Sequence, residues 1–284
     1  MKDARQSSVM QGEFGRITLN LTARDLVEHA HSEYNFIFKI GGGDTGFKVN
    51  GSTFELNDDN AILVNPWEPH AKLNSHGAAT LVLTALLSGP WMSQVLGVQS
   101  PPRAKMFPSS VVQLSPEVRE CVVRIAISMT SGLEMSDEER TPILRDLVRA
   151  LAAAYCDQEF SKKALLAERP MDARIMRATR FMRENAASNP SLEDVAAHVG
   201  LSRSRFFEQF KNCLGASPQQ YLDWERMTLA TRMLSDPNSR VTQVSDELGF
   251  SAPSHFARFF AQHIGFPPSD FKRGMLSQAS PDQA

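Results

Sequence analysis

Three histidines carry the spacing most suggestive of chemistry in the first half of this 284-residue chain. His29 and His31 are two apart, so in extended backbone both side chains leave the same face. His70 follows the apolar run and turn AILVNPWEP, Ala61 to Pro69. Imidazoles gathered in this way ligate a transition metal, form the polar lining of a small-molecule pocket, or serve as hydrogen-bonded structural or surface groups. Glu33 and Asn35 share strand parity with them. Aromatic residues stand nearby at Phe36, Phe38, Phe47 and Trp67. His29, His31, Asn35, Phe36, Phe38, Trp67 and His70 are therefore the expected effector-pocket set, although Phe36 and Phe38 also suit plain core packing.

The second half offers different chemistry. Val195–Phe210 reads VAAHVGLSRSRFFEQF and Val244–Phe260 reads VSDELGFSAPSHFARFF, one motif written twice. Gly200 recurs as Gly249, and Phe206, Phe210, Gly215, Pro218 and Tyr221 recur as Phe256, Phe260, Gly265, Pro268 and Phe271. One residue is added after the second turn, just before the second copy's second helix. Each copy reads as helix, glycine turn, helix, the helix-turn-helix whose second helix enters a DNA major groove. In the first copy Ser202 is expected to cap that helix, which exposes Arg203, Ser204, Phe207 and Glu208. The second helix, from Ser251 to His263, exposes Ala252, Pro253, Ser254, Ala257 and Arg258. Arginine pairs with guanine or phosphate, serine with several bases, phenylalanine with a thymine methyl, and Glu208 with cytosine. Ala252 and Pro253 offer few hydrogen bonds, so the second helix is expected to read sequence weakly. Phosphate contacts are expected from Arg205, Lys211, Arg226 and Arg258, with a structural bridge as the competing role for Arg226.

The elements that must position these groups follow from periodicity. From Gly12 to Leu87, short β-branched and aromatic runs alternate with turn signals, among them Asn50-Gly51. Ile17–Thr22, Tyr34–Ile40, FKVN, STFEL, AILV and Ala79–Leu87 read as strands of a small barrel or jelly roll. Beyond Pro90 the period becomes helical. A helix capped by Ser115 carries Val118, Val122, Ile125 and Met129 on one face. A second carries Ile143, Leu147, Ala150, Leu151 and Ala154, and the pair is a candidate dimer interface. Asp172–Asn185 is amphipathic, with Ile175, Met176, Ala178, Thr179 and Met182 inward. Ser217-Pro218 starts a long helix of about 25 Å that joins the two copies.

Apolar content of 42% and charged content of 22% suit ordinary globular domains. There is no run of about 18 apolar residues for a membrane span, and Met1–Ser8 lacks the apolar stretch of a secretory signal. Three scattered cysteines, Cys121, Cys156 and Cys213, match no zinc spacing and suit a reducing cytoplasm. Net charge is −3 over residues 1–171 and +2 over residues 172–276, a mild bias whose value depends on its distribution over faces.

The stretch from Arg174 to Arg273 resembles the DNA-binding domain of AraC/XylS-type regulators. The segment G-F-S-x-x-S-H-F-x-R-x-F is present as Gly249 to Phe260, and the family's proline–aromatic ending as Pro267 to Phe271, with Pro267 where Ser is usual. The region in front resembles the cupin barrel, a usual companion domain in that family, whose metal ligands are His-x-His, a glutamate and a further His. By position His29, His31 and His70 match the histidines, and Asn35 replaces the glutamate. The resemblance implies an α+β multidomain fold: a cupin-like β-barrel over residues 1–110, a helical pair over 111–160 and a linker over 161–171. An all-α double helix-turn-helix domain over 172–276 and a disordered tail over 277–284 complete it. It implies a cytoplasmic, ligand-responsive DNA-binding regulator without catalytic activity or cofactor. Its partners would be promoter DNA, RNA polymerase, a small-molecule effector and a second copy of the chain. Two alternatives stand beside it: a metal-dependent cupin enzyme carrying a DNA-binding module, and a regulator whose barrel serves only dimerisation or partner contacts.

Overall fold

The structure, a computed structural model, describes residues 7–74, 77–98, 105–131, 137–157, 159 and 171–276. Residues 161–170 of the expected linker and the tail 277–284 lie outside them. The first domain is built from β1 (Ser7–Gly12), β2 (Gly15–Thr22), β3 (Tyr34–Gly42), β4 (Thr45–Val49), β5 (Ser52–Leu56), β6 (Asn60–Val64), β7 (His70–Leu73), β8 (Thr80–Leu87) and β9 (Val111–Gln113). One sheet runs β1-β2-β8-β3-β6-β9, and a smaller one β5-β4-β7 faces it. All the strand pairings are antiparallel. The Asn50-Gly51 signal holds: both residues take positive φ in a tight hairpin between β4 and β5. β9 pairs with β6, so the sheet reaches past the boundary expected at residue 110.

Strand alternation sorts the large sheet into two faces. Ile17, Leu19, Phe36, Phe38, Leu83, Ala85 and Leu87 pack outward against three helices: α1 (Gly89–Leu96), α2 (Pro116–Thr130) and α3 (Asp137–Tyr155). Ser88 and Ser115 cap α1 and α2 through their side chains. Phe36 and Phe38 are 0% and 1% exposed, and each contributes about 1.5–3 kcal/mol by burial. They therefore belong to this outer core and not to the expected pocket. The opposite face turns inward. At one end Ile37, Ile62, Val64 and Val82 meet Phe47, Val49 and Leu56 of the small sheet in an apolar cluster. Toward the other end the inward residues become polar.

The second domain is helical: α4 (Ala173–Glu184), α5 (Leu192–His198), α6 (Arg203–Leu214), α7 (Pro218–Leu234), α8 (Val241–Glu247), α9 (Pro253–Ile264) and α10 (Pro268–Leu276). Asp172, Ser191 and Ser217 cap α4, α5 and α7; Ser217 and Gln220 form a reciprocal capping box. The predicted α4 stripe is narrower than expected: Ile175, Ala178 and Met182 are buried, but Met176 is 47% exposed. Gly200 and Gly249 adopt φ of +68° and +67° in the two turns, where a Cβ would be strained. Phe206 and Phe210 anchor the first unit in one core, and Phe256 and Phe260 the second unit in another.

Candidate effector pocket and DNA interface

The pocket is built from alternation on β2. Arg16, Thr18, Asn20 and Thr22 point into a cavity while Ile17 and Leu19 face the helices. Asn35 and Ile37 of β3 and Lys72 of β7 also line it. The segment before β3 pairs with the start of β7, His29 N–H donating to His70 O at 3.0 Å and His70 N–H to His29 O at 2.9 Å. That pairing brings the three predicted histidines together. Ring centroids are 4.4 Å apart for His29 and His70, 4.8 Å for His31 and His70, and 5.8 Å for His29 and His31. With His29, His31, Asn35 and His70 all lining the cavity, this part of the expected set is brought to one place.

Trp67 is not part of that lining. It stacks on Tyr221 of α7 with centroids 5.2 Å apart and belongs to the helical domain's core, across the domain boundary. The sequence reading also missed Arg16 and Lys72. Their β2 and β7 parities were the available signal, but β7 is only four residues long and has no isolated pattern of its own.

Electrostatics in the cavity follow from burial. The Nδ1 atoms of His29, His31 and His70 face the carbonyls of Val27, Glu33 and Glu68 at 2.8, 3.1 and 2.8 Å. A proton on Nδ1 satisfies each of these contacts and leaves Nε2 as a lone-pair acceptor. Burial, followed by the charge of neighbouring histidine, lowers His31 and His70 to about 3 and His29 well below the usual range. The imidazoles are therefore neutral at pH 7. Asn35 Nδ2 donates to His70 Nε2 at 3.1 Å. His31 Nε2 and Asn35 Oδ1 are buried without a hydrogen-bond partner.

Two cations share the space. Lys72 is 2% exposed, and its Nζ donates to the Arg24 carbonyl at 3.2 Å. Burial lowers it, opposed by the charge of Asp25. Arg16 is lowered to about 10 by burial, and its Nε is shut off from solvent without a partner. Burial raises Glu33, the carboxylate nearest to Arg16, and Glu33 accepts a hydrogen bond from Trp224 Nε1 at 3.1 Å.

The cavity wall is completed by the helical domain. Trp224 and Met227 of α7, His263 and Ile264 at the end of α9, and Gly265 all line it. Val27 N–H donates to the Gln262 carbonyl at 3.1 Å, and His263 lies 6.0 Å from His29 between ring centroids. A Cβ on Gly265 would approach Asn20 Nδ2 to 3.1 Å, so the bare glycine lets this turn sit against β2. A molecule in the cavity would touch both domains.

As a metal centre the cluster offers three ligand atoms, one from each of His29, His31 and His70, all within 4.8 Å of one another. The fit is partial. Backbone carbonyls orient each ring as in many metal sites, yet the fourth position holds an amide that already occupies His70 Nε2. Three neutral imidazoles suit a borderline metal such as zinc or nickel and not a hard cation.

Outside the cavity lining, the residues expected to meet DNA are largely exposed. Ser202, Arg203, Ser204, Arg205, Glu208 and Lys211 are exposed, and Phe207 is half-buried beneath the Arg203 guanidinium, 4.8 Å from its ring centroid. Arg203 also pairs with Glu193. Ser202 stands at the start of α6, but its side chain makes no cap bond, contrary to expectation, and its hydroxyl is left for solvent or phosphate. On the second unit Ser251, Pro253, Ser254 and Arg258 are exposed, and Ala252 and Ala257 are half-buried. The added residue lies in this turn, so α9 starts at Pro253, four residues after Gly249, where α6 starts three after Gly200. His255, overlooked in the sequence, is exposed there and meets Ser251 Oγ at 2.8 Å through Nδ1.

Arg226 departs from its expected phosphate contact. It is 3% exposed and donates to Ala186 O at 3.2 Å and Leu248 O at 3.0 Å, with its guanidinium 4.6 Å from the Phe250 ring centroid. It ties the two units together. A separate network, also missed, fastens α4 to α7: Arg183 Nε donates to Glu225 Oε1 at 3.0 Å and the Tyr221 hydroxyl to the same oxygen at 2.6 Å.

Comparisons with known proteins agree with this division. Residues 195–274 match the family described as Helix-turn-helix domain. The chain is 33% identical over 106 residues to the Arabinose operon regulatory protein of Escherichia coli (strain K12), covering 37% of this chain and 36% of that one. It is 31% identical over 98 residues to the Lactose operon transcription activator of Staphylococcus xylosus, covering 34% and 35%. The matched region thus spans little more than a third of these relatives' length. The unsaturated-fatty-acid-bound structure of ToxT from Vibrio cholerae superposes with a TM-score of 0.53 at 10% identity, covering 94% of this chain and 93% of ToxT. The chain has the two-domain fold of ToxT, a sheet-rich N-terminal domain followed by a helical one, and its C-terminal region matches a helix-turn-helix domain.

Proposed function

We propose that the whole chain is a ligand-responsive, sequence-specific regulator of transcription. The observation that carries this reading is the cavity walled by both domains. A ligand between β2, β3 and β7 on one side and Trp224, Met227 and His263 on the other changes how the helical domain is held. It thereby shifts the population of arrangements in which α6 and α9 both reach DNA. The 17-residue helix α7 separates the two units by about 25 Å of helix, which suits successive major grooves on one face of the duplex. ToxT, solved with an unsaturated fatty acid bound, supports a small molecule as the signal.

Contact with RNA polymerase belongs to the same reading, supported by a relative named as an activator. So does a homodimer, through the outer face of α2, where Val123 and Ile127 are 48% and 58% exposed, because the stripe expected to form the interface, Val118, Val122, Ile125 and Met129, is buried in the chain's own core. The test is genomic footprinting of the bound chain, followed by titration of the recovered sites against bulk DNA with and without candidate metabolites. A chain with no preference over bulk DNA would end this reading. The histidine geometry favours a second use of the same site, in which His29, His31 and His70 hold a zinc-class ion that supplies Lewis acidity or structural cross-linking. Metal content of the chain and of its His31→Ala variant decides it: a stoichiometric ion lost in the variant supports it, and none in either dismisses it.

A further inference from the structure

Two features of the cavity remain unexplained by the fold, and resting on the effector reading they name the chemistry of the guest. The first is charge. Arg16 on the large sheet and Lys72 on the small one line the same cavity, and neither has a carboxylate within ion-pair distance among the described residues. Buried cations are ordinarily paired. Glu33 and Asp25 act on Arg16 and Lys72 only from beyond that distance, and Arg16 Nε is left without a partner. Two such cations on opposite sheets of one cavity suit the two oxygens of a carboxylate.

The second feature is a deficit of donors. His31 Nε2 and Asn35 Oδ1 are buried acceptors with nothing donating to them, and both residues line the cavity. Buried polar groups left in this state in a folded protein are usually completed by a water, an ion or a ligand. The rest of the wall is apolar, including Ile37, Phe47, Val82 and Ile264.

From these juxtaposed groups we infer that the effector is a hydroxylated carboxylic acid with an apolar body. Its carboxylate accepts from Arg16 and Lys72, and its hydroxyl donates to His31 Nε2 or Asn35 Oδ1. A fatty acid without the hydroxyl would satisfy only half of the site.

The test uses the full chain in chelator-containing buffer and two series of probes, read by calorimetry and thermal shift. One series is the three hydroxybenzoates with benzoate and the matching hydroxybenzamides. The other is 10-hydroxydecanoate with decanoate and decane-1,10-diol. The hydroxy acid of at least one series should bind about tenfold or more tightly than both its deoxy and its neutral partner, the scale of one charge-assisted hydrogen bond. Arg16→Gln and Lys72→Met should each erase the preference for the acid, and His31→Phe the preference for the hydroxyl. These variants remove desolvated groups but also the Lys72 donor to the Arg24 carbonyl and the His31 donor to the Glu33 carbonyl, so each ligand-free melting temperature is measured first and binding is read well below it, which separates lost binding from lost folding. Neutral partners binding as tightly as the acids, or a preference that survives Arg16→Gln and Lys72→Met, would overturn the inference. Equal binding of deoxy and hydroxy acids would also overturn it. If no probe binds, the inference fails, while preference for an operator over bulk DNA still decides the regulator reading separately.

Discussion

Arg226 gives the sharpest test of the helical domain, because two roles with different measurable signatures compete for it. Replacing it with Met keeps a long apolar stem but removes two hydrogen bonds, leaving the Leu248 carbonyl buried and unpaired while the Ala186 carbonyl keeps the Asn189 N–H at 3.3 Å. The orphaned carbonyl costs about 1–3 kcal/mol and the other lost bond about 0.5–1.5 kcal/mol. Loss of the guanidinium over Phe250 adds roughly 0.5–2 kcal/mol. A total of about 2–6 kcal/mol is a large share of the roughly 5–15 kcal/mol that stabilises a domain. The midpoint should fall by about 10 °C or more. Differential scanning calorimetry of the full chain measures this directly. DNA titrations at several salt concentrations, run well below the new midpoint, measure the other role. A phosphate contact would leave the melting temperature within about a degree and reduce the salt slope by roughly 0.9. That pair of results would refute the structural role assigned to Arg226.

Other outcomes follow from the same geometry. Arg203→Ala or Arg258→Ala should weaken operator binding about tenfold with a melting temperature shifted by only about a degree, since both side chains are exposed and the Arg203–Glu193 pair lies in solvent; a large loss of stability would count against a recognition role. Trp224→Phe removes the donor to Glu33 while keeping an aromatic ring, so operator binding should persist but lose its response to the effector, as read by fluorescence anisotropy of labelled operator. An undiminished response would show that this contact does not carry the signal. His31 and His70 are lowered to about 3 in the fold and His29 is lowered well below its ordinary range, so as pH drops below 6.5 the unfolded chain binds protons that the folded chain refuses. Stability should be highest above about pH 6.5 and fall as pH drops toward 3. Urea midpoints from pH 7.5 to 4.5 check this, and the His31→Phe, His70→Phe double variant should show a shallower fall.

Much of the molecule was written in local sequence. The repeated motif placed both helix-turn-helix units, because glycine turns, serine caps and aromatic pairs at i and i+4 act within a dozen residues. His29 and His31 were legible as one cluster for the same reason, since parity alone puts them on one side. What parity could not say is which side of a strand faces a pocket when both sides are covered. Phe36 and Phe38 alternate as a pocket wall would, and the helices α2 and α3 packed on that face turned them into core. Arg226 presents a charged side chain at a helical position that also suits phosphate, and only the meeting of two units around it made it a buried tie. Trp67 waited on Tyr221, a partner 154 residues away in sequence. Arg16 and Lys72 had only their separate strand parities, because β2 and β7 belong to different sheets and meet only across the cavity. The sequence determined which elements form and which faces of α6 and α9 stay exposed, since those depend on neighbours along the chain. Tertiary structure alone decided where unpaired charge and unpaired acceptors converge, because that depends on which strands are brought opposite each other.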